Sequence, residues 1–212
     1  MSSSSRKTLL QGLYVILDPS VCPKRSLHDV LTLSAEAGVR IFQYRNKAAS
    51  MKEAYADALP LSKLAAELGM VFIVNDRCDL ALAVDADGVH LGQEDLPYAE
   101  ARKVLGPDKI IGLSTHNAEQ VKEADKLRPD YIGFGPIFKP GSKLDHDPLV
   151  GIAGLRAVRS LTTLPIFAIG GIQMEQTGEV IRAGANGVAV ISGILKASDV
   201  RQAVRGFIAR LS

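Results

Sequence analysis

Residues 71–97 read VFIVNDRCDLALAVDADGVHLGQEDLP. Two short apolar runs, VFIVND and GVHLGQED, carry the branched and apolar residues that a buried strand needs. Each closes on an acid, Asp76 in the first and Asp95 in the second, and only the short helix-like stretch CDLALAVDA lies between them. Strands alternating with helices imply parallel pairing in a sheet covered by those helices.

The same alternation extends outward in both directions. Strand-like runs stand at YVILD (14–18), IFQYR (41–45), VFIVND (71–76), GVHLG (88–92), IIGLS (110–114), YIGFG (131–135), PIFAIGG (165–171) and GVAVIS (187–192). Between them SLHDVLTLSAEAG, SMKEAYADALPLSKLAAELG, NAEQVKEADKL and SDVRQAVRGFIARL place apolar residues at helical spacing, several opened by a Ser or Asn suited to capping. AGVR, ADGVH, PDYIG and GANGVA each put a tight turn just before a strand. Eight such units in 212 residues fit a single compact α/β domain, a (β/α)8 TIM barrel, with residues 1–12 expected as a flexible N-terminal extension. The rival doubly wound sheet would carry a glycine-rich fingerprint after its first strand, and YVILDPS has none.

Composition narrows the function class. Apolar residues make up 47% of the chain, enough for one sizeable core. With 25 basic against 23 acidic residues the net charge is only +2, which gives no reason to expect a nucleic-acid or membrane surface. The apolar LLQGLYVIL is interrupted by Gln11 and Gly12, and no run approaches the roughly 18 residues of a membrane span. Cys22 and Cys78 have neither metal-like nor paired spacing, so a reducing, cytoplasmic setting without a disulfide is expected. Oligomeric state is not written in the sequence, although barrels of this kind often form homodimers.

In such a barrel the chemistry sits at the C-terminal ends of the strands. Asp76 and Asp95 are expected at the ends of strands three and four, neighbours about 4.8 Å apart in a sheet. Two carboxylates on one rim suit a Mg²⁺ ion, which takes one or two protein carboxylates and completes its shell with water and phosphate oxygens. The alternative is that Asp76 caps one helix and Asp95 opens the next near Pro97. Arg45 and Lys47 alternate with Gln43 at the end of strand two, and Lys143 follows strand six; converging cations suggest a polyanionic ligand, while a single Lys on its own reads first as a solvated surface charge. AIGGI (168–172) and GVAVISGI (187–194) form a second anion signal, since loops after strands seven and eight often hold phosphate on backbone N–H groups. Ser114 suits either a helix cap or a substrate hydrogen bond, His116 suits orientation of a loop, and His90 reads as a hydrogen-bonded residue of the barrel interior. Neither His28 nor His146 has an identifiable partner, and Cys78 lacks a linked histidine that would make it a nucleophile.

QYRNK, VND, ADGVHLGQEDLP, IGLSTH, YIGFGPIF, AIGGI and GVAVIS occur in one order from about Tyr14 to Ile194, and that ordered set resembles the thiamine phosphate synthase family. The resemblance implies an Mg²⁺-dependent alkyl transferase that joins hydroxymethylpyrimidine diphosphate to a thiazole phosphate and releases pyrophosphate. It further implies that Gln43, Arg45, Lys47 and Asn75 bind the pyrimidine diphosphate, that Asp76 and Asp95 ligate Mg²⁺, and that Ser114 and Lys143 hold pyrimidine and pyrophosphate. Ser114, Lys143, Arg45 and Lys47 would then serve catalysis, and the thiazole phosphate would lie against Gly171, Ile191 and Ser192. One departure stands out. Where the family usually has Pro-Thr-x-Thr-Lys, this chain reads KPGSK (139–143): Ser142 keeps a hydroxyl and Lys143 its charge, but Pro140 replaces a threonine. A backbone nest at Gly141, or Lys139, is the available substitute. Two alternatives stay open at this point, a thiazole tautomerase-like isomerase on the same barrel and a non-catalytic phosphate-binding barrel.

Overall fold

The computed structural model describes residues 7–139 and 148–211. Eight strands, β1 (Gly12–Leu17), β2 (Ile41–Tyr44), β3 (Val71–Asn75), β4 (Gly88–Leu91), β5 (Ile110–Thr115), β6 (Tyr131–Phe134), β7 (Ile166–Ile169) and β8 (Gly187–Val190), pair in parallel in chain order. β8 pairs back onto β1, Gly12 against Gly187, and closes the barrel. The helices between them are α1 (Leu27–Glu36), α2 (Met51–Glu67), α3 (Cys78–Ala83), α4 (Tyr98–Leu105), α5 (Ala118–Leu127), α6 (Gly151–Arg159), α7 (Thr177–Arg182) and α8 (Ser192–Leu195), and α9 (Val200–Ile208) follows α8. The (β/α)8 expectation therefore holds. Among the described residues no helix is long and apolar enough to cross a membrane.

Period-two alternation divides each strand between two cores. The outward residues, among them Val15, Leu17, Phe42, Phe72, Val74, Val89, Ile111 and Phe134, pack under the helices in the larger cluster. The inward ones, Tyr14, Ile16, Ile41, Val71, Ile73, Ile110, Tyr131, Phe167 and Ala189, fill the barrel. Apolar burial on both faces explains why the strands read as continuous apolar runs rather than alternating ones. The tyrosine and phenylalanine rings inside the barrel leave no room for a further side chain. A Cβ at Gly112 would lie 2.2 Å from the Tyr131 ring.

Local signals set the helix starts. Ser26 accepts a hydrogen bond from the Asp29 amide (3.2 Å), Ser50 and Glu53 form a reciprocal capping box on α2, and Asn117 accepts from the Gln120 amide (2.9 Å). At α9 the cap is Asp199, which accepts from the Gln202 amide (3.0 Å), and not the preceding serine. The N-terminal segment also differs from expectation. Leu10 is buried in the inner cluster and Gly12 is already paired in β1, so part of the expected 1–12 extension closes the barrel floor.

Candidate active site

Arg45 follows β2, its amide donating to the Leu17 carbonyl (3.0 Å), and its guanidinium pairs with the carboxylate of Asp18 just past β1. Asp18 is buried and also accepts from the Ser20 amide (3.0 Å) and hydroxyl (2.6 Å), so the arginine is anchored on a carboxylate that is itself fixed. Nothing in the sequence reading assigned Asp18 a role, although it ends the quoted YVILD run; the signal available was an acid at a strand end facing the basic end of the next strand.

Asp76 follows β3 with φ +63°, a left-handed conformation that a non-glycine residue rarely adopts. Its amide donates to the His90 carbonyl (2.8 Å), extending the β3–β4 ladder by one bond. The Lys47 ammonium stands 3.1 Å from its carboxylate. The capping alternative fails for Asp76, because α3 starts from Arg77 and has no side-chain cap. Asp95 does not end β4 as expected. That strand stops at Leu91, and a turn over residues 92–95 brings Asp95 back so that its Oδ2 accepts from the Gly92 amide (2.6 Å). It does not cap α4 either, which begins after Pro97 without a side-chain cap. The turn nevertheless carries its carboxyl to Asp76: burial first, and then the neighbouring Asp76 carboxyl, push the Asp95 pKa up.

Such a pair favours a cation, and the donor set is consistent with one. Among the described residues no cluster of three or more His, Cys, Asp or Glu side chains forms a fuller metal cage, whereas two carboxylates on an open rim are what Mg²⁺ ordinarily takes from a protein.

Gln43 and Ser114 face the interior below this rim. Gln43 Nε2 donates to the Tyr14 hydroxyl (2.7 Å), and Ser114 Oγ lies 2.9 Å from His90 Nε2. Ser114 is not a helix cap, a role that falls to Asn117. Asn75 ends β3 in register with His90. His90 is an interior hydrogen-bonded residue, as its mid-strand position implied, and burial pushes its pKa down to about 4. His116 orients a loop: its Nδ1 lies 2.7 Å from the Gly135 carbonyl oxygen. Burial pushes the Cys78 thiol up, which opposes a nucleophilic role.

Across the rim, Gly170 and Gly171 both have positive φ, +97° and +64°. A Cβ on Gly171 would lie 2.6 Å from the Lys139 carbonyl oxygen, so this loop packs backbone to backbone under the one after β6. Ile191 and Ser192 start α8, whose first turn has no side-chain cap. Gly141, Ser142 and Lys143, with Pro140 and His146, lie outside the described residues.

The fold and the rim together define a (β/α)8-barrel protein whose strand ends gather a carboxylate pair and basic side chains opposite a glycine-lined loop. Residues 13–194 match the family described as thiamine monophosphate synthase, and the chain belongs to that family. It is 48% identical over 199 residues to the thiamine-phosphate synthase of Shouchella clausii, covering 94% of this chain and 95% of that one. Identity to the thiamine-phosphate synthase of Chloroflexus aurantiacus is 44% over 193 residues, 91% and 89% of the two chains. The solved structure of the thiamine phosphate pyrophosphorylase from Pyrococcus furiosus superposes with a TM-score of 0.85 at 37% identity, covering 95% of this chain and 96% of that one.

Proposed function

We propose that this chain condenses 4-amino-2-methyl-5-(diphosphooxymethyl)pyrimidine with a thiazole phosphate, giving thiamine monophosphate and pyrophosphate, with Mg²⁺ as cofactor. The observation that carries the reading is the Asp76–Asp95 pair with Lys47 on one of its members and Asp18-anchored Arg45 on the neighbouring strand end. A divalent cation held by Asp76 and Asp95 would supply positive charge to a departing diphosphate. Arg45 and Lys47 add charge at the same rim and orient the diphosphate, Arg45 by a planar fork suited to phosphate oxygens. Lys143, which lies outside the described residues, is given the same part on sequence similarity alone.

Departure of the diphosphate leaves positive charge on a benzylic-type carbon that the electron-rich aminopyrimidine stabilises. The thiazole nitrogen attacks with its own lone pair, so no general base is required. That agrees with His90, which is held neutral by burial and hydrogen-bonded at both ring nitrogens. The thiazole phosphate is assigned to the Gly171, Ile191 and Ser192 backbone, leaving the two reactants on opposite sides of the barrel mouth. The relatives' names speak for a synthase over the isomerase and silent-barrel alternatives.

Mixing purified protein with both substrates and Mg²⁺ and separating the products by chromatography tests this proposal. Thiamine monophosphate should appear only when both substrates are present. Rearrangement of a thiazole phosphate alone, with no coupled product, would favour the isomerase.

A further inference from the structure

Beneath the rim a line of five side chains crosses the barrel interior. Gln43 Nε2 donates to the Tyr14 hydroxyl (2.7 Å), the Tyr14 and Tyr131 hydroxyls are 2.9 Å apart, the Tyr131 hydroxyl is 3.0 Å from His90 Nδ1, and His90 Nε2 is 2.9 Å from Ser114 Oγ. The five come from β2, β1, β6, β4 and β5. Both tyrosines are buried at 2% exposure or less, so water does not complete their bonding. The arrangement is built in: Gly112 leaves the volume that the Tyr131 ring occupies, and a Cβ on Gly133 would crowd His90 Cε1 at 3.2 Å. Its two ends, Gln43 and Ser114, are both residues of the candidate site.

Counting protons gives this line a direction. A tyrosine hydroxyl has one proton to donate, and a neutral imidazole has one N–H. Because Gln43 donates into the Tyr14 oxygen, the Tyr14 proton goes to the Tyr131 oxygen, and the Tyr131 proton goes to His90 Nδ1. His90 must then carry its proton on Nε2 and donate it to Ser114 Oγ. In the reverse direction Tyr14 would accept from both Gln43 and Tyr131, its own buried proton would have no acceptor, and the Ser114 proton would be consumed by His90.

We infer that the Gln43–Tyr14–Tyr131–His90 line fixes His90 as the Nε2–H tautomer and so frees the Ser114 hydroxyl proton for an acceptor atom of the substrate, making Tyr131 and His90 positioning residues that act through Ser114. Identifying that acceptor with the pyrimidine diphosphate rests on the function proposed above; the tautomer does not.

Long-range ¹H–¹⁵N spectra of the full chain, with His90→Gln used to assign the ring, should show His90 protonated on Nε2 and bare on Nδ1. Protonation on Nδ1 would overturn the inference, whatever the protein's activity. Kinetics supply the second arm. Tyr131→Phe removes the donor to Nδ1 and should lower kcat/KM for the pyrimidine diphosphate by about tenfold or more, with KM for the thiazole phosphate within about twofold of its original value. Tyr14→Phe removes the proton that commits Tyr131 to donate but leaves Tyr131 able to donate to Nδ1, so its loss in kcat/KM should be clearly smaller than that of Tyr131→Phe. Equal losses in the two variants, after melting curves confirm that both fold, would mean a merely structural line and refute the positioning role.

Discussion

Asp76 combines a strained backbone with a side chain of the candidate site. A left-handed φ at a non-glycine residue costs about 1 kcal/mol, and Asn and Asp tolerate it better than most residues. Asp76→Asn therefore removes the charge with little backbone penalty, and turnover should fall by about 100-fold or more while the melting temperature changes little. Asp76→Ala should lose similar turnover and, in addition, about 1 kcal/mol of stability in denaturant titrations. His90 offers a pH test. Its folded pKa of about 4 lies below the ordinary histidine value of 6.5, so the folded protein binds that proton less readily than the unfolded chain does. Its contribution to stability is complete above pH 6.5 and is lost as pH falls from 6.5 towards 4. Denaturation midpoints measured across that window should drop for the original protein and drop less for His90→Gln. That Asp76, Arg45 and Lys47 stand just past strand ends was legible from the apolar runs that precede them. Asp18 was passed over, because its one signal, an acid at a strand end beside the basic end of the next strand, does not by itself name the arginine it meets 27 residues later.

Elements were easiest to read where a local rule sufficed. Parallel strands buried on both faces show as apolar runs, and Ser26, Ser50 and Asn117 cap the helices they precede. Ser50→Ala should cost about 1 kcal/mol by loss of the capping box, seen as a lower melting temperature with unchanged kcat. The turn over residues 92–95 was missed because Asp95 was read as the strand's end; the Gly92 amide bonded to Asp95 Oδ2 and the Asp95 amide bonded to the Gly92 carbonyl show that the chain has turned. The line from Gln43 to Ser114 was equally hidden. Tyr14 and Tyr131 are 117 residues apart, and no periodicity along the chain reveals that two strands point their rings at one another across a closed barrel. Gly112→Ala probes that interior, and a Cβ 2.2 Å from the Tyr131 ring should cost about 3 kcal/mol or more in urea unfolding.

For the whole molecule, closure of the sheet brings the residues of the candidate site around one mouth. β1-to-β8 pairing is what sets Gly171 and Ser192 across one mouth from Asp76 and Arg45. Eight strand-like runs were enough to give the barrel, whereas the use of Leu10 to seal its floor depends on packing that appears only once the ring is closed. The central claim, that Asp76 and Asp95 together hold a divalent cation which in turn holds a diphosphate, is tested most directly by calorimetric titration of the pyrimidine diphosphate into the protein with Mg²⁺ and with EDTA, repeated on Asp76→Asn. Binding should weaken by about tenfold or more when either the cation or the Asp76 charge is removed, and removing both should add little further loss. Equal affinity under all four conditions would contradict the account.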